Sequence, residues 1–306
     1  EGSAVFPRPL PLSPEAAQDM RDAYLNGIDY AIIGLYLGVV VTLSWRIKQR
    51  ATTSLEQYLL GGRAMPWWML GISGVMDFWD VAGTMIIVSF LFLLGSLGLL
   101  VEFRGGAVLV LAVIMLWTGK WHRRSGCLTG AEWMTFRFGD GRAGQSAQLA
   151  RAIAGIVLTV GMIAYLVKGT GLFLATFLPF SPAQCAFVLV ASATTYSMLS
   201  GFEGVVVIHL IQMGIVIAAA VAITITGASH GYGVDALGAI AERVTGNPRW
   251  TAATPALEAT LPAGYEAYRP LTFIASLFLL RNVLFGLGAG DDPKYFAARS
   301  DADCGR

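Results

Sequence analysis

The chain has 306 residues, of which 55% are hydrophobic and 13% are charged, with 21 Lys and Arg against 20 Asp and Glu. Soluble globular domains carry about 25% charged residues, so this composition indicates a membrane protein. The formal net charge of +1 excludes a strongly basic nucleic-acid-binding protein, and the apolar content excludes a disordered chain. Three widely spaced cysteines predict neither a disulfide framework nor a zinc site.

Seven apolar stretches qualify as transmembrane helices, since about 20 residues cross the hydrocarbon of a bilayer. The sequence therefore predicts an all-α, multi-pass membrane protein whose partner is the lipid bilayer. Tryptophans near the ends of these stretches suit the headgroup region. The predicted spans are 27–45, 66–95, 106–118, 152–174, 183–199, 205–226 and 271–288.

The basic residues are divided unequally between the two sides of these spans. Thirteen Lys and Arg lie in the segments that follow the odd-numbered spans, and six lie on the opposite side, which includes the N-terminal tail 1–24. Because cytoplasmic loops are enriched in Lys and Arg, we expect the N-terminal tail on the outer side of the membrane and the C-terminus on the cytoplasmic side. The tail lacks the features of a signal peptide. The loop 227–270 is then an outer loop, mostly irregular, with a short helix over 234–244.

The apolar stretch that contains the second span is too long for one straight helix. It runs from residue 65 to residue 101, and its 37 residues would reach about 55 Å at 1.5 Å per residue. Gly71, Gly74 and Gly83, together with Asp77 and Asp80, favour a break in its first half. An interrupted helix exposes backbone carbonyls and half-helix ends, which suit a small cation bound beside a solute.

Two interpretations of Asp77 and Asp80 remain open. A carboxylate near the bilayer centre is unfavourable by at least about 2.5–3.5 kcal/mol. The two side chains therefore either handle an ion or substrate, or pair with a base such as Lys168 or Arg281 to hold the bundle together. The seventh span has a related character, because Arg281 and Asn282 are followed by closely spaced glycines.

His209 and Gln212 are one helical turn apart in the sixth span. They could line a permeation path, or they could form a hydrogen-bonded pair at the headgroup level. The residues alone do not separate these two interpretations.

The motifs of soluble enzymes are missing from the sequence. There is no phosphate-binding loop, no H-E-x-x-H zinc motif and no nucleophile elbow. We therefore expect no catalytic residues and no organic cofactor.

Four motifs occur in an order and spacing that resemble the sodium:solute symporter family. The segment 56–68 reads EQYLLGGRAMPWW, and 128–138 reads LTGAEWMTFRF. The segment 196–206 reads YSMLSGFEGVV, and 295–300 reads YFAARS. The resemblance covers nearly all of 54–306.

The resemblance implies a LeuT-type fold with two inverted five-helix repeats after one extra helix. The extra helix would be 27–45, the first repeat 66–226, and the start of the second repeat 271–306. Family members continue for several more helices. The resemblance therefore implies a bundle truncated after about seven transmembrane helices, the N-terminal part of a symporter.

The resemblance also implies a sodium site at the broken second span. Its ligands would be the backbone carbonyls of Met76 and Trp79. Asp77 or Asp80 lies where some relatives have a functionally important aspartate. His209 stands where many members have an aspartate linked to an additional sodium site, which argues against a second sodium on that route.

A solute site is implied on the neighbouring spans. Glu102 falls at the position of a sugar-binding acid in the sugar-transporting branch, whereas Gly83 replaces a binding Gln of that branch. Arg281, Asn282 and Phe285 occupy the solute-facing stretch of the seventh helix. The solute would be a sugar, an amino acid or an organic anion.

The function implied by the resemblance is sodium-coupled symport by alternating access in the inner or plasma membrane of a bacterium. Two alternatives compete with it. One is a symporter-like sensor or receptor domain fused to a signalling module. The other is a seven-helix receptor or retinal protein, which the absence of a Lys in the seventh span disfavours.

Overall fold

The computed structural model describes residues 25–77, 79–95, 117–230, 234–252, 266, 269–288 and 292–306. These residues are mostly helical, as the apolar composition predicts.

Helix α1 runs over Gly27–Ala51, from the predicted start of the first span to six residues beyond its predicted end. Asn26 caps it, because its side chain accepts the backbone N–H groups of Ile28 and Asp29, and the Asp29 side chain accepts the N–H of Asn26. Helix α2, Leu55–Leu60, and a 3₁₀ turn, Gly61–Arg63, follow.

The predicted break in the second span is confirmed. Helix α3 covers Trp67–Asp77 and ends there, and helix α4 begins at Val81 and continues to Leu94. The predicted third span lies outside the described residues except for its last two, which belong to a helical stretch over 117–124.

Helix α5, Gly130–Phe138, precedes the long helix α6, Arg142–Leu174. The apolar side chains of α6 are largely uncovered by protein; Ile156, for example, is 64% exposed and Val157 is 65% exposed. An uncovered apolar surface of this length fits lipid contact better than water contact.

The predicted fifth and sixth spans lie in two helices that join at a kink without a loop; together they are labelled α7 and cover Pro182–Ser229. The element α7 is kinked at Gly201, which has φ 58° and ψ −159° and lies between the two predicted spans. Its 48 residues would reach about 72 Å if straight, more than twice the hydrocarbon thickness of a bilayer. The loop expected between the two spans is therefore replaced by a kink, at the place where the boundary was expected.

The remaining helices are α8, Val234–Thr245, α9, Leu271–Gly288, α10, Pro293–Ala297, and α11, Asp301–Gly305. The helix predicted within the loop 227–270 coincides with α8. The segment after α8 is hydrogen-bonded to the end of α4. The side chains of Trp250 and Asn247 donate to the carbonyls of Phe92 and Leu93. Helix α9 has the bounds predicted for the seventh span.

Three helices of the described part are long and apolar enough to cross a membrane, namely α1, α6 and α7. The broken pair α3 and α4 would make a fourth if it forms one span. The protein is therefore an integral membrane protein with several spans. The count of seven stays a prediction, as do the orientation and the division into repeats.

The chain divides into two compact units. One contains the described residues of 83–115 and 214–289, and its core packs Phe90 and Leu94 against Leu271. The other contains the described residues of 12–82, 116–213 and 290–306. This second unit holds α3, the first part of α7 and all four motifs.

Candidate functional site

The break between α3 and α4 places backbone oxygen atoms at the end of a half-helix. The N–H of Trp79 donates to the carbonyl oxygen of Met76 over 3.3 Å. A carbonyl oxygen has two lone pairs, so this bond leaves Met76 able to accept a second partner. Trp79 itself is 52% exposed.

Asp77, the last residue of α3, is the centre of an ionic network. Its carboxylate contacts the ammonium of Lys294 through Oδ2, and Oδ1 lies 3.5 Å from Nδ1 of His209. The side chains of Lys294 and His209 are 14% and 12% exposed, whereas that of Asp77 is 33% exposed. The carboxylate therefore keeps an exposed side while its basic partners are largely covered.

His209 connects α7 to α3. Its Nδ1 atom also lies 2.9 Å from the hydroxyl oxygen of Ser73, which is fully buried one turn before Asp77. Gln212 donates instead to the hydroxyl of Tyr36 on α1, over 2.7 Å. The interpretation of His209 and Gln212 as a mutual pair is therefore wrong, and His209 belongs to the surroundings of Asp77.

Lys294 is held by its own segment as well as by Asp77. Its backbone N–H donates to Asp292 Oδ1 over 2.8 Å, and its ammonium lies 3.6 Å from the same oxygen. Asp292 is thus both the cap of α10 and a second carboxylate beside the lysine. Asp77 does pair with a base, as one of the two interpretations expects, but that base is Lys294 and not Lys168, which is exposed on α6.

The other predicted site residues are distributed along the chain. Asp80 is partly buried at the break, and Gly83 lies in the first turn of α4. Glu102 lies outside the described residues. Arg281, Asn282 and Phe285 lie on α9, but their side chains are outside the described part of the structure.

The four motifs recognised in the sequence meet in one place, called here the four-motif cluster. Its apolar core contains Leu60 from the first motif, Val206 from the third, and Phe296 from the fourth, all fully buried. Leu128 and Trp133 of the second motif pack against this core. Segments that are distant in sequence are therefore in contact with one another.

Arg63 ties three segments of the four-motif cluster together. Its guanidinium donates to Glu56 over 2.6 Å, to the carbonyls of Gly126 and Cys127 over 2.6 and 3.0 Å, and to that of Phe296 over 3.4 Å. A planar guanidinium with five N–H donors suits such convergent acceptors. The side chain of Arg63 therefore joins the turn after α2 to the loop before α5 and to α10.

The segment after α10 is fixed to the same cluster through its backbone. The N–H of Arg299 donates to the carbonyl of Met65 over 3.0 Å, and Arg123 donates to the carbonyls of Ala298 and Arg299 over 2.8 and 2.7 Å. Because Lys294 precedes this segment by a few residues, the fold of the four-motif cluster determines where the lysine side chain starts.

Acidic residues of α11 complete the attachment. Hydrogen bonding from Arg124, and then the charges of Arg124 and Arg123, hold the pKa of Asp301 below its usual value. A hydrogen bond from the Ser300 hydroxyl, followed by one from Arg299, likewise lowers the pKa of Asp303. Both carboxylates are therefore ionised at neutral pH and anchor the start of α11.

Sequence reasoning found Asp77 but missed Ser73 and Lys294. Ser73 is a small polar residue inside an apolar helix, where a hydroxyl most often bonds to its own backbone. Lys294 follows the pair Asp292–Pro293, a typical helix start, and this signal predicts α10 without predicting where the lysine reaches.

Comparison with protein-family models matches the sodium:solute symporter family over residues 58–290. Comparisons with curated proteins and with solved structures give no match. The matched range contains the break between α3 and α4, together with Asp77 and His209. Lys294 lies just beyond it.

Proposed function

Because the chain belongs to the sodium:solute symporter family, we propose that it couples the entry of sodium to the uptake of a small polar solute. Membership places the chain among membrane transporters and not among enzymes. The proposed cycle is alternating access, in which sodium and solute bind to the same outward-open state and are then exposed to the other side. Since both ligands favour one state, each strengthens the binding of the other.

The observation that carries the proposal is the interrupted helix at Asp77. The break leaves the Met76 carbonyl at a helix end, beside the partly exposed carboxylate of Asp77. Oxygen ligands of this kind suit a hard monovalent cation such as sodium. We propose Met76, Trp79, Asp77 and Asp80 as the sodium-handling residues.

We further propose that the solute is bound by Gly83, Glu102, Arg281, Asn282 and Phe285. These positions combine one acidic, one basic, one amide and one aromatic side chain. Such a set accepts a sugar, an amino acid or an organic anion. The proposed fold is the LeuT type with inverted repeats, and the proposed location is a bacterial inner membrane with the N-terminus outside.

The test is solute uptake into vesicles that contain the purified protein, over a panel of sugars, amino acids and organic anions. We expect at least one solute to accumulate when sodium is present outside, and to stop accumulating when choline replaces sodium. Uptake that is the same in choline would contradict sodium coupling. A proton ionophore distinguishes proton coupling, since it abolishes only uptake that a proton gradient drives.

A second measurement tests the placement of the sodium site. We expect Asp80→Ala to raise the sodium concentration needed for half-maximal uptake. Asp140→Ala is the matched control, because Asp140 is an exposed aspartate in the loop before α6. An unaltered sodium dependence in Asp80→Ala would remove this residue from the site.

A further inference from the structure

The chain places a positive charge of its own at the carboxylate proposed to handle sodium. Lys294 Nζ contacts Asp77 Oδ2, although the two residues are 217 positions apart in sequence. The side chains of Lys294 and Asp77 are 14% and 33% exposed, so the contact is partly shielded from water. Shielding strengthens the attraction relative to an ion pair on an open surface.

The position of Lys294 follows from well-packed parts of the fold. Asp292 caps α10 by accepting the backbone N–H of Lys294, and the fully buried Phe296 anchors the same short helix in the four-motif cluster. The aliphatic part of the lysine passes over α3 at Gly74, where an added Cβ would lie 3.7 Å from Lys294 Cδ. The ammonium thereby reaches the end of α3.

Asp292 supplies an alternative partner for the same ammonium. Its Oδ1 atom lies 3.6 Å from Lys294 Nζ, on the side of α10. The lysine therefore stands between two carboxylates, one at the helix break and one on its own segment. It can leave Asp77 without losing every negatively charged neighbour.

We propose that Lys294 competes with sodium for the carboxylate of Asp77, as a cation tethered to the protein. This inference rests on the proposed sodium site. Two unit positive charges beside one carboxylate repel each other, so sodium binding at Asp77 displaces the ammonium toward Asp292. Lys294 thereby lowers the affinity for sodium, and its displacement transmits sodium binding from the end of α3 to α10.

The test is equilibrium binding of radioactive sodium to the purified protein in detergent, at one fixed pH, for the wild type and four variants. We expect Lys294→Met to lower the sodium Kd about tenfold, because the competing charge is gone. Lys294→Arg keeps the charge and should stay near the wild-type value. Asp77→Asn should raise the Kd, because the shared carboxylate is gone.

Lys168→Met is the matched control, because it removes an exposed lysine of α6. Its sodium Kd should equal that of the wild type. A Kd of Lys294→Met that is unchanged or higher would overturn the inference while leaving the proposed sodium site intact. Lys294→Gln serves as a second neutral variant if Lys294→Met elutes as an aggregate in size-exclusion chromatography.

The failure of the proposed function gives a different result. If the wild type binds no sodium and Lys294→Met also binds none, the sodium site and the competition are both rejected. If only Lys294→Met binds sodium, the competition is supported and the wild-type chain is not a sodium symporter under those conditions.

Discussion

The guanidinium of Arg63 donates a hydrogen bond of 2.6 Å to the carbonyl oxygen of Gly126, 63 residues away in sequence. The same Nη2 atom reaches the next carbonyl, that of Cys127, over 3.0 Å. One side chain thus joins the turn after α2 to the loop before α5. The contact explains why an arginine, and not merely a positive charge, stands in the first motif.

Arg63→Gln should lower the free energy of unfolding by about 2–3 kcal/mol, because the carbonyls of Gly126 and Cys127 lose a charged donor. Arg63→Lys should recover only part of this loss, since an ammonium cannot reproduce the planar fork. The measurement is thermal unfolding in detergent. Arg137→Gln, at an exposed arginine of α5, is the control and should change little. Equal melting temperatures for Arg63→Gln and the control would contradict this role.

Glu203 should be a stronger determinant of stability than its ion-pair partner Arg50. Glu203 is 17% exposed and accepts from Gln57 over 3.1 Å, whereas Arg50 is 79% exposed and lies 3.8 Å away. Glu203→Ala leaves the amide of Gln57 without this acceptor and should be destabilising by about 1–2 kcal/mol. Arg50→Ala should be destabilising by less than about 0.5 kcal/mol, as expected for an exposed ion pair.

A double-mutant cycle separates the two contacts of Glu203. Gln57→Ala combined with Glu203→Ala should be less destabilising than the sum of the single variants, because the amide and the carboxylate share one hydrogen bond. The destabilisation by Arg50→Ala should simply add to that by Glu203→Ala, because the exposed ion pair contributes little. Strong coupling between Arg50 and Glu203, with none between Gln57 and Glu203, would show that Arg50 and not Gln57 is the main stabilising partner of Glu203.

The break in the second span could be predicted from sequence, whereas the partner of Asp77 could not. The break has local signals, namely excess length, glycines and two carboxylates within one apolar stretch. Lys294 lies outside every apolar stretch, so hydropathy assigns it to a loop. Its reach to Asp77 depends on where α10 is anchored, and that is decided by contacts between distant segments.

The convergence of the four motifs was equally hidden, although each motif was recognised. The order and spacing of the motifs indicate a family, but Arg63 and Arg123 bind mainly to backbone carbonyls. A carbonyl acceptor has no signature in the sequence, since every residue carries one. The kink in α7 was hidden for a related reason. A drop in hydropathy predicts a boundary between two spans, but it does not tell a loop from a single glycine at which two helices join directly.

Gly201→Ala should destabilise the protein by at least about 2 kcal/mol. The residue has φ +58°, and an added Cβ would lie 2.7 Å from the carbonyl oxygen of Tyr58. A side chain at this backbone conformation is strained, and the Tyr58 carbonyl belongs to α2 and cannot move freely. Gly214→Ala in the same helix is the matched control, since an added Cβ there meets nothing within 4 Å.

The control variant should be neutral or slightly stabilising, because alanine is favoured over glycine within a helix by about 1 kcal/mol. Thermal unfolding of both variants in detergent measures the difference. A Gly201→Ala protein as stable as Gly214→Ala would show that α7 is regular at this point and that the approach of Tyr58 is not constrained.

Cys304 should react slowly with alkylating reagents in the folded protein. Burial raises the pKa of its thiol to about 11, and the residue is 8% exposed. Only the thiolate is nucleophilic, so at pH 8 the reactive fraction is roughly 0.1% for this pKa. Alkylation should therefore accelerate about tenfold for each pH unit between roughly pH 8 and pH 10, since the thiolate fraction rises in that proportion below the pKa.

Mass spectrometry of the peptide that contains Cys304, after timed exposure to iodoacetamide, measures this rate. Protein unfolded in sodium dodecyl sulfate is the control and should react much faster at the same pH, because its thiols are exposed and have ordinary pKa values near about 8.5. The Asp303→Asn variant extends the test: it removes the carboxylate that holds the start of α11 through Ser300 and Arg299. Faster alkylation in this variant indicates that the docking of α11 buries the Cys304 thiol. Equal rates in folded and unfolded protein would show that the thiol is not buried.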